Sequence, residues 1–161
     1  MKKRLTLVLF LFITSIGLSS CDPLTFRYKY IELKNRVIAV ELINYNNPQA
    51  KDLFERADLI LPFDFAKMEI IDVLDEKFFD SFFLDFSEIM FMEYWRHFDS
   101  PNGVSIRLIY DSSDFEIISS FKDCYAGSFD SSGNVKRFIG GLMGAQDFLD
   151  LIEDFFHLVS L

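Results

Sequence analysis

The chain has 161 residues, half of them hydrophobic, with 25 acidic against 16 basic side chains and a formal net charge of −9. A surface of that sign repels phosphate backbones and anionic lipid headgroups, so a nucleic-acid partner is excluded. Two cysteines and two histidines are too few for a disulfide framework and leave little for a zinc site.

The chain opens with Lys2, Lys3 and Arg4, followed by an uncharged run from Leu5 to Gly17. These are the positive and apolar regions of a secretion signal. The run is short for a bilayer-spanning helix, which needs ~20 apolar residues. Small residues and a cysteine follow at once, as Leu18-Ser19-Ser20-Cys21. This tetrapeptide resembles the lipobox of bacterial lipoproteins. The resemblance covers the first 21 residues and implies a diacylglyceryl group on the Cys21 thiol, cleavage just before Cys21, and frequent acylation of the new N-terminus. It places the body on the extracytoplasmic face of a bacterial membrane. Asp22 resembles the inner-membrane retention signal of lipoproteins in two-membrane bacteria. The alternatives are an ordinary cleaved signal peptide with a chance cysteine, and an uncleaved anchor.

Residues 1–20 are then a signal peptide, 21–35 a lipidated N-terminus and tether, and 36–161 a single domain. The leader holds three of the 16 basic residues and none of the acidic ones, so the body of 141 residues carries a net charge of −12. Such a body stands off its membrane and attracts basic partners. With Cys21 on lipid, Cys124 has no partner in the chain, and stability must come from packing. The 20 phenylalanines supply the apolar bulk.

Within 22–35, Phe26, Tyr28 and Tyr30 alternate with Arg27 and Lys29, which predicts a strand or an extended linker. Arg36 to Tyr45 is rich in β-branched residues and predicts a strand. Asn46-Asn47-Pro48 predicts a turn, and Gln49 to Ala57 a short helix. Asp58 to Pro62 is extended, and Lys67 to Val73 reads as a strand. From Asp75 to Phe86, Phe78, Phe79, Phe82, Phe83 and Phe86 recur at three- and four-residue steps and predict an amphipathic helix.

Ile89 to Trp95 reads as a strand, and Asp99-Ser100-Pro101-Asn102-Gly103 as a turn. Val104 to Tyr110, Phe115 to Phe121, Cys124 to Phe129 and Val135 to Ile139 predict an antiparallel meander joined by polar turns. Gly140, Gly141 and Gly144 mark a joint. Ala145 to Leu158 predicts a helix with Phe148, Leu151, Ile152 and Phe155 buried and Asp147, Asp150, Glu153 and Asp154 in water. The expected fold is α+β, an antiparallel sheet of five to seven strands against two main helices. The second half is similar to small bacterial lipoproteins of no assigned activity, which implies the fold alone.

Catalytic signals are weak. Asp111-Ser112-Ser113-Asp114 and Asp130-Ser131-Ser132-Gly133-Asn134 lack the ligand spacing of a calcium loop and read as hairpin turns. Ser128 lacks the Gly-x-Ser-x-Gly setting. No metal and no cofactor is expected. The densest constellation is Tyr94, Trp95, Arg96 and His97, residue types that dominate binding surfaces. The expected function is a lipid-anchored, non-enzymatic binding module for a basic envelope or extracellular protein. The alternative is a small envelope hydrolase using a carboxylate, or Ser128 or Cys124 with His97.

Overall fold

A computed structural model describes residues 25–46, 62–92, 103–119, 125–143 and 145–156. It is an α+β fold. The elements in chain order are β1 (Thr25–Phe26), α1 (Tyr30–Arg36), β2 (Val37–Tyr45), β3 (Met68–Val73), α2 (Phe79–Glu88), β4 (Met90–Met92), β5 (Gly103–Tyr110), β6 (Phe115–Ser119), β7 (Tyr125–Phe129), β8 (Val135–Met143) and α3 (Ala145–Phe155). One antiparallel sheet runs β1-β4-β8-β7-β6-β5-β2-β3. Six of its strands have five or more residues, within the expected five to seven, and the two short ones, β1 and β4, extend one edge. The helix expected at Gln49–Ala57 lies outside the described residues, as do Trp95 and most of the Asp99–Gly103 turn.

The β5–β8 meander forms as its alternation predicts. Tyr110 and Asp114 close the first hairpin, with Ser113 left-handed at φ 66°. Asp130 and Asn134 close the second, with Gly133 at φ 85°. Strand β8 does not stop at Ile139. It continues through Gly140 and Gly141 to Met143, pairing with β7 and then β4. The register shifts opposite these glycines, and a glycine-marked irregularity inside a strand is why they read as a joint.

Both faces of the central strands carry buried side chains, which is why β2 reads as a largely apolar run, while β3 at the edge is mostly exposed. On one face Val40, Leu42, Ile106, Leu108 and Ile118 meet the helices through Phe82, Phe83, Phe86, Phe148, Leu151 and Ile152. On the other, Ile43, Tyr45, Phe115, Ile117 and Phe129 gather around Phe63. Each buried large side chain contributes ~1.5–3 kcal/mol.

Helix α2 is the phenylalanine-rich helix expected from the spacing. It starts at Phe79, after a 3₁₀ turn in which Asp75 accepts from the Lys77 amide. Phe78 therefore falls in the turn, is exposed, and lies under the Lys77 ammonium instead of in the core. Helix α3 buries its expected stripe, with Phe155 only half-buried and Phe156 taking its place in the core.

The leading segment differs most from expectation. Among its described residues Thr25 and Phe26 form a strand, and Tyr30 to Arg36 is helical. The aromatic alternation is used by packing: Phe26 stacks on Phe91 at 5.4 Å, and Tyr28 meets Phe86 and Phe91, each at 5.2 Å. Leu33 is then buried by α1, which is pinned to α2 through Lys34 and Asp80. The stretch expected as tether up to residue 35 is thus part of the fold from Thr25 onward. Among the described residues no helix is long and apolar enough to cross a membrane.

Candidate functional site

Cys21, Tyr94, Trp95, Arg96, His97 and Cys124 lie outside the described residues. Ser128 is described: it is half-buried on β7, opposite Glu116 of β6 and Arg137 of β8.

Three polar features emerge from the described residues. The first is a groove of about 260 Å³ between α2 and α3, lined by Asp85, Glu88, Ile89, Asp147, Asp150, Leu151 and Asp154. Helical spacing creates it. Asp85 and Glu88 are three residues apart, and Asp147, Asp150 and Asp154 fall at steps of three and four, so each set shares a flank beside its apolar stripe. Ile89 and Leu151, both buried, form its floor. Arg27 bridges Glu88 at 3.0 Å. Gln146 donates to Asp150 at 2.7 Å. Among the described residues no basic side chain pairs with Asp85, Asp147, Asp150 or Asp154. The groove is therefore a concentration of uncompensated negative charge, and its potential draws cationic groups toward it.

The second feature is a half-buried carboxylate beneath the leading segment. Tyr28 and Tyr110 both donate to Glu116 Oε2, at 2.8 and 2.7 Å. Burial raises the Glu116 carboxyl above its ordinary value, and the two tyrosine hydrogen bonds, then Arg137 and Arg36, act in the opposite direction. Burial also pushes both phenols up, with the Glu116 charge adding to it. Neither tyrosine ionises in the physiological range, so both remain donors. The cluster holds Tyr28 to the sheet.

The third lies on the opposite face. The Arg107 guanidinium sits 4.6 Å from the Phe115 ring centre and 5.4 Å from that of Phe65, and Nη1 donates to Glu41 at 3.1 Å. Burial lowers the Arg107 pKa, and Glu41 partly restores it. A cation held between rings and a carboxylate in this way is structural.

The two hairpin turns that lack calcium-loop spacing spend their carboxylates on protein partners. Asp130 accepts from the Ser132 and Asn134 amides and from the Asn134 side chain. These bonds, the Asn134 side chain first, hold its carboxyl below the usual range. Asp114 is paired with Lys136. Among the described residues no three potential metal ligands cluster.

Of the groove carboxylates, the sequence marks Asp147, Asp150 and Asp154 as a wet helix face and gives no reading of Asp85 or Glu88. Their periodicity was visible in the sequence, but nothing local says that the flanks of α2 and α3 face each other. Glu116 gave no signal, because alternation beside Phe115 and Ile117 points it to the opposite face, and only the helices show that face to be buried. Comparison with known proteins finds no match: no family model, no curated protein and no solved structure is significantly similar to this chain.

Proposed function

We propose that the protein is a lipid-anchored extracytoplasmic lipoprotein whose body is a non-enzymatic binding module for a basic partner. The observation that carries this reading is the ordered leader ending in Leu18-Ser19-Ser20-Cys21. A single acyl chain binds a membrane only marginally, and two or more hold it stably. A body of net charge −12 does not adsorb to an anionic surface unaided, so the anchor supplies the attachment. The groove supports the binding half: it offers five carboxylates, only one of them neutralised by a cation among the described residues. Such a site speeds encounter with basic proteins and loses its pull as salt screens it.

The test is capture of partners from envelope extract on immobilised body at low and at moderate salt. A basic protein retained at low salt and released at moderate salt is expected. Its capture weakens when Asp147, Asp150 and Asp154 are changed together to Asn. Retention indifferent to both salt and the triple change argues against the groove as the binding surface.

A further inference from the structure

We infer that the sheet edge formed by β1 and β4 is the membrane-facing surface of the anchored protein, with the headgroups of its own bilayer as neighbour. The inference rests on the lipid-anchor reading of Cys21.

Its basis is that the leading segment is built into the body. Thr25 and Phe26 pair with Met92 and Phe91 of β4. Phe26 stacks on Phe91, the Tyr28 hydroxyl reaches Glu116, and Arg27 bridges Glu88. The body therefore grips the chain at Thr25, four residues after Cys21. Four fully extended residues reach at most ~14 Å. The sheet is much wider: eight strands at ~4.8 Å spacing put β3 roughly 34 Å from β1. The β1–β4 edge cannot leave the neighbourhood of the anchor, whereas the β3 edge can.

Charge decides which way the rest points. At the anchored edge the cations are balanced, with Arg27 on Glu88, Lys29 on Glu32 and Lys34 on Asp80. The helix face beside it carries Asp85, Asp147, Asp150 and Asp154 without cations among the described residues. Lying on that face would press these carboxylates against anionic headgroups. Repulsion of the acidic body swings its far parts outward, and the short tether keeps the β1 edge down. The groove, beside the anchored edge through the Arg27–Glu88 bridge, then opens sideways, along the bilayer and not onto it. A basic partner reaching it is one already at the membrane, such as the cationic juxtamembrane segment of an envelope protein.

The experiment uses lipidated protein extracted from membranes and reconstituted into phosphatidylethanolamine–phosphatidylglycerol vesicles bearing a nitroxide-headgroup lipid. In a Cys124→Ser background, a fluorophore is placed at Glu88→Cys or at Glu69→Cys. Glu88 is far from the anchor in sequence but bridged to Arg27, and Glu69 is exposed on β3. Circular dichroism confirms folding, and Asp85→Cys replaces Glu88→Cys should the latter not fold. Quenching several-fold stronger at 88 than at 69 is expected. A flexible Gly/Ser insertion of about 20 residues after Asp22 abolishes the difference. Equal quenching, stronger quenching at 69, or a difference that survives the insertion overturns the orientation. Cys21→Ala separates the two levels: if that variant stays on membranes, the anchor reading itself has failed; if it is released while quenching is symmetric, only the orientation falls.

Discussion

The two faces of the sheet are closed by different means. The helix face is covered by three helices, whose phenylalanines interlock: Phe82 meets Phe83, Phe86, Phe155 and Phe156 at 5.4–6.2 Å between ring centres. Among the described residues the opposite face is covered by one strap, the stretch around Phe63. Phe63 donates its amide to the Gly133 carbonyl at 2.7 Å, stacks on Tyr45 at 4.4 Å, and meets Phe115 and Phe129. The Tyr45 hydroxyl accepts from the Asp64 amide at 2.9 Å. A covering shared among many side chains tolerates loss at its rim. A strap that depends on one crossing fails at that crossing. The comparison teaches where stability is redundant and where it is not.

The largest effect is expected from Phe82→Ala. Phe82 is fully buried at the centre of the helix-side core. Its truncation costs ~3–5 kcal/mol, read as a shift of the urea midpoint. A cost below that of a surface change would mean that the helices do not close this face. Gly133→Ala comes next. At φ 85° an added Cβ would stand 2.4 Å from the Phe63 carbonyl oxygen, which is backbone and cannot yield cheaply. A strained left-handed residue costs about 1–3 kcal/mol. The expected signature is faster amide exchange around Phe63 and β7 with α2 and α3 unaffected. Uniform loss of protection would show that the two faces open as one unit.

Acidity sharpens the comparison further. Burial raises the Glu116 carboxyl on the helix face above its unfolded value. A raised carboxyl favours the fold in its protonated form, so that contribution is complete below the ordinary glutamate range and is lost as pH rises through the folded value. Tyr28, Tyr110, Arg36 and Arg137 face this group. Glu116→Gln removes the dependence, so its stability should gain on the unmodified protein as pH rises. Parallel pH profiles for the two would contradict this. Asp130 and Asp114 at the hairpin ends are lowered, the first by Asn134 and the second by Lys136. They act in the other sense, losing their contribution as pH falls through their depressed values. The smallest effect is expected from Lys34→Ala. Its bridge to Asp80 is solvent-exposed, with the two side chains 44% and 66% accessible. Pairs of that kind contribute little, and the urea midpoint should not move beyond error.

Much of the fold was legible because its signals are local. The β-branched run of β2, the alternation of β5 and the three- and four-residue steps of α2 and α3 each state their own conformation. The rest depends on what packs against what. Phe26, Tyr28 and Tyr30 alternate like a strand, yet burial of Leu33 against the core goes with a helix after Tyr28. Gly140 and Gly141 resemble a joint, but sit inside β8 because β4 pairs with that stretch. Half of the groove is written on each of two helices more than 50 residues apart, so neither half announces it. Of the residues singled out as a binding site, Tyr94 to His97 lie outside the described part, while the lipobox rests on a motif whose order alone is informative.

The proposed anchor depends on Cys21. Its most direct test is the intact mass of full-length protein extracted from the membrane fraction of a bacterial host. The expected mass is that of a chain lacking residues 1–20 and carrying a diacylglyceryl group on Cys21, with or without an added N-terminal acyl chain. A mass that retains the leader, or that shows an unmodified Cys21, would contradict it.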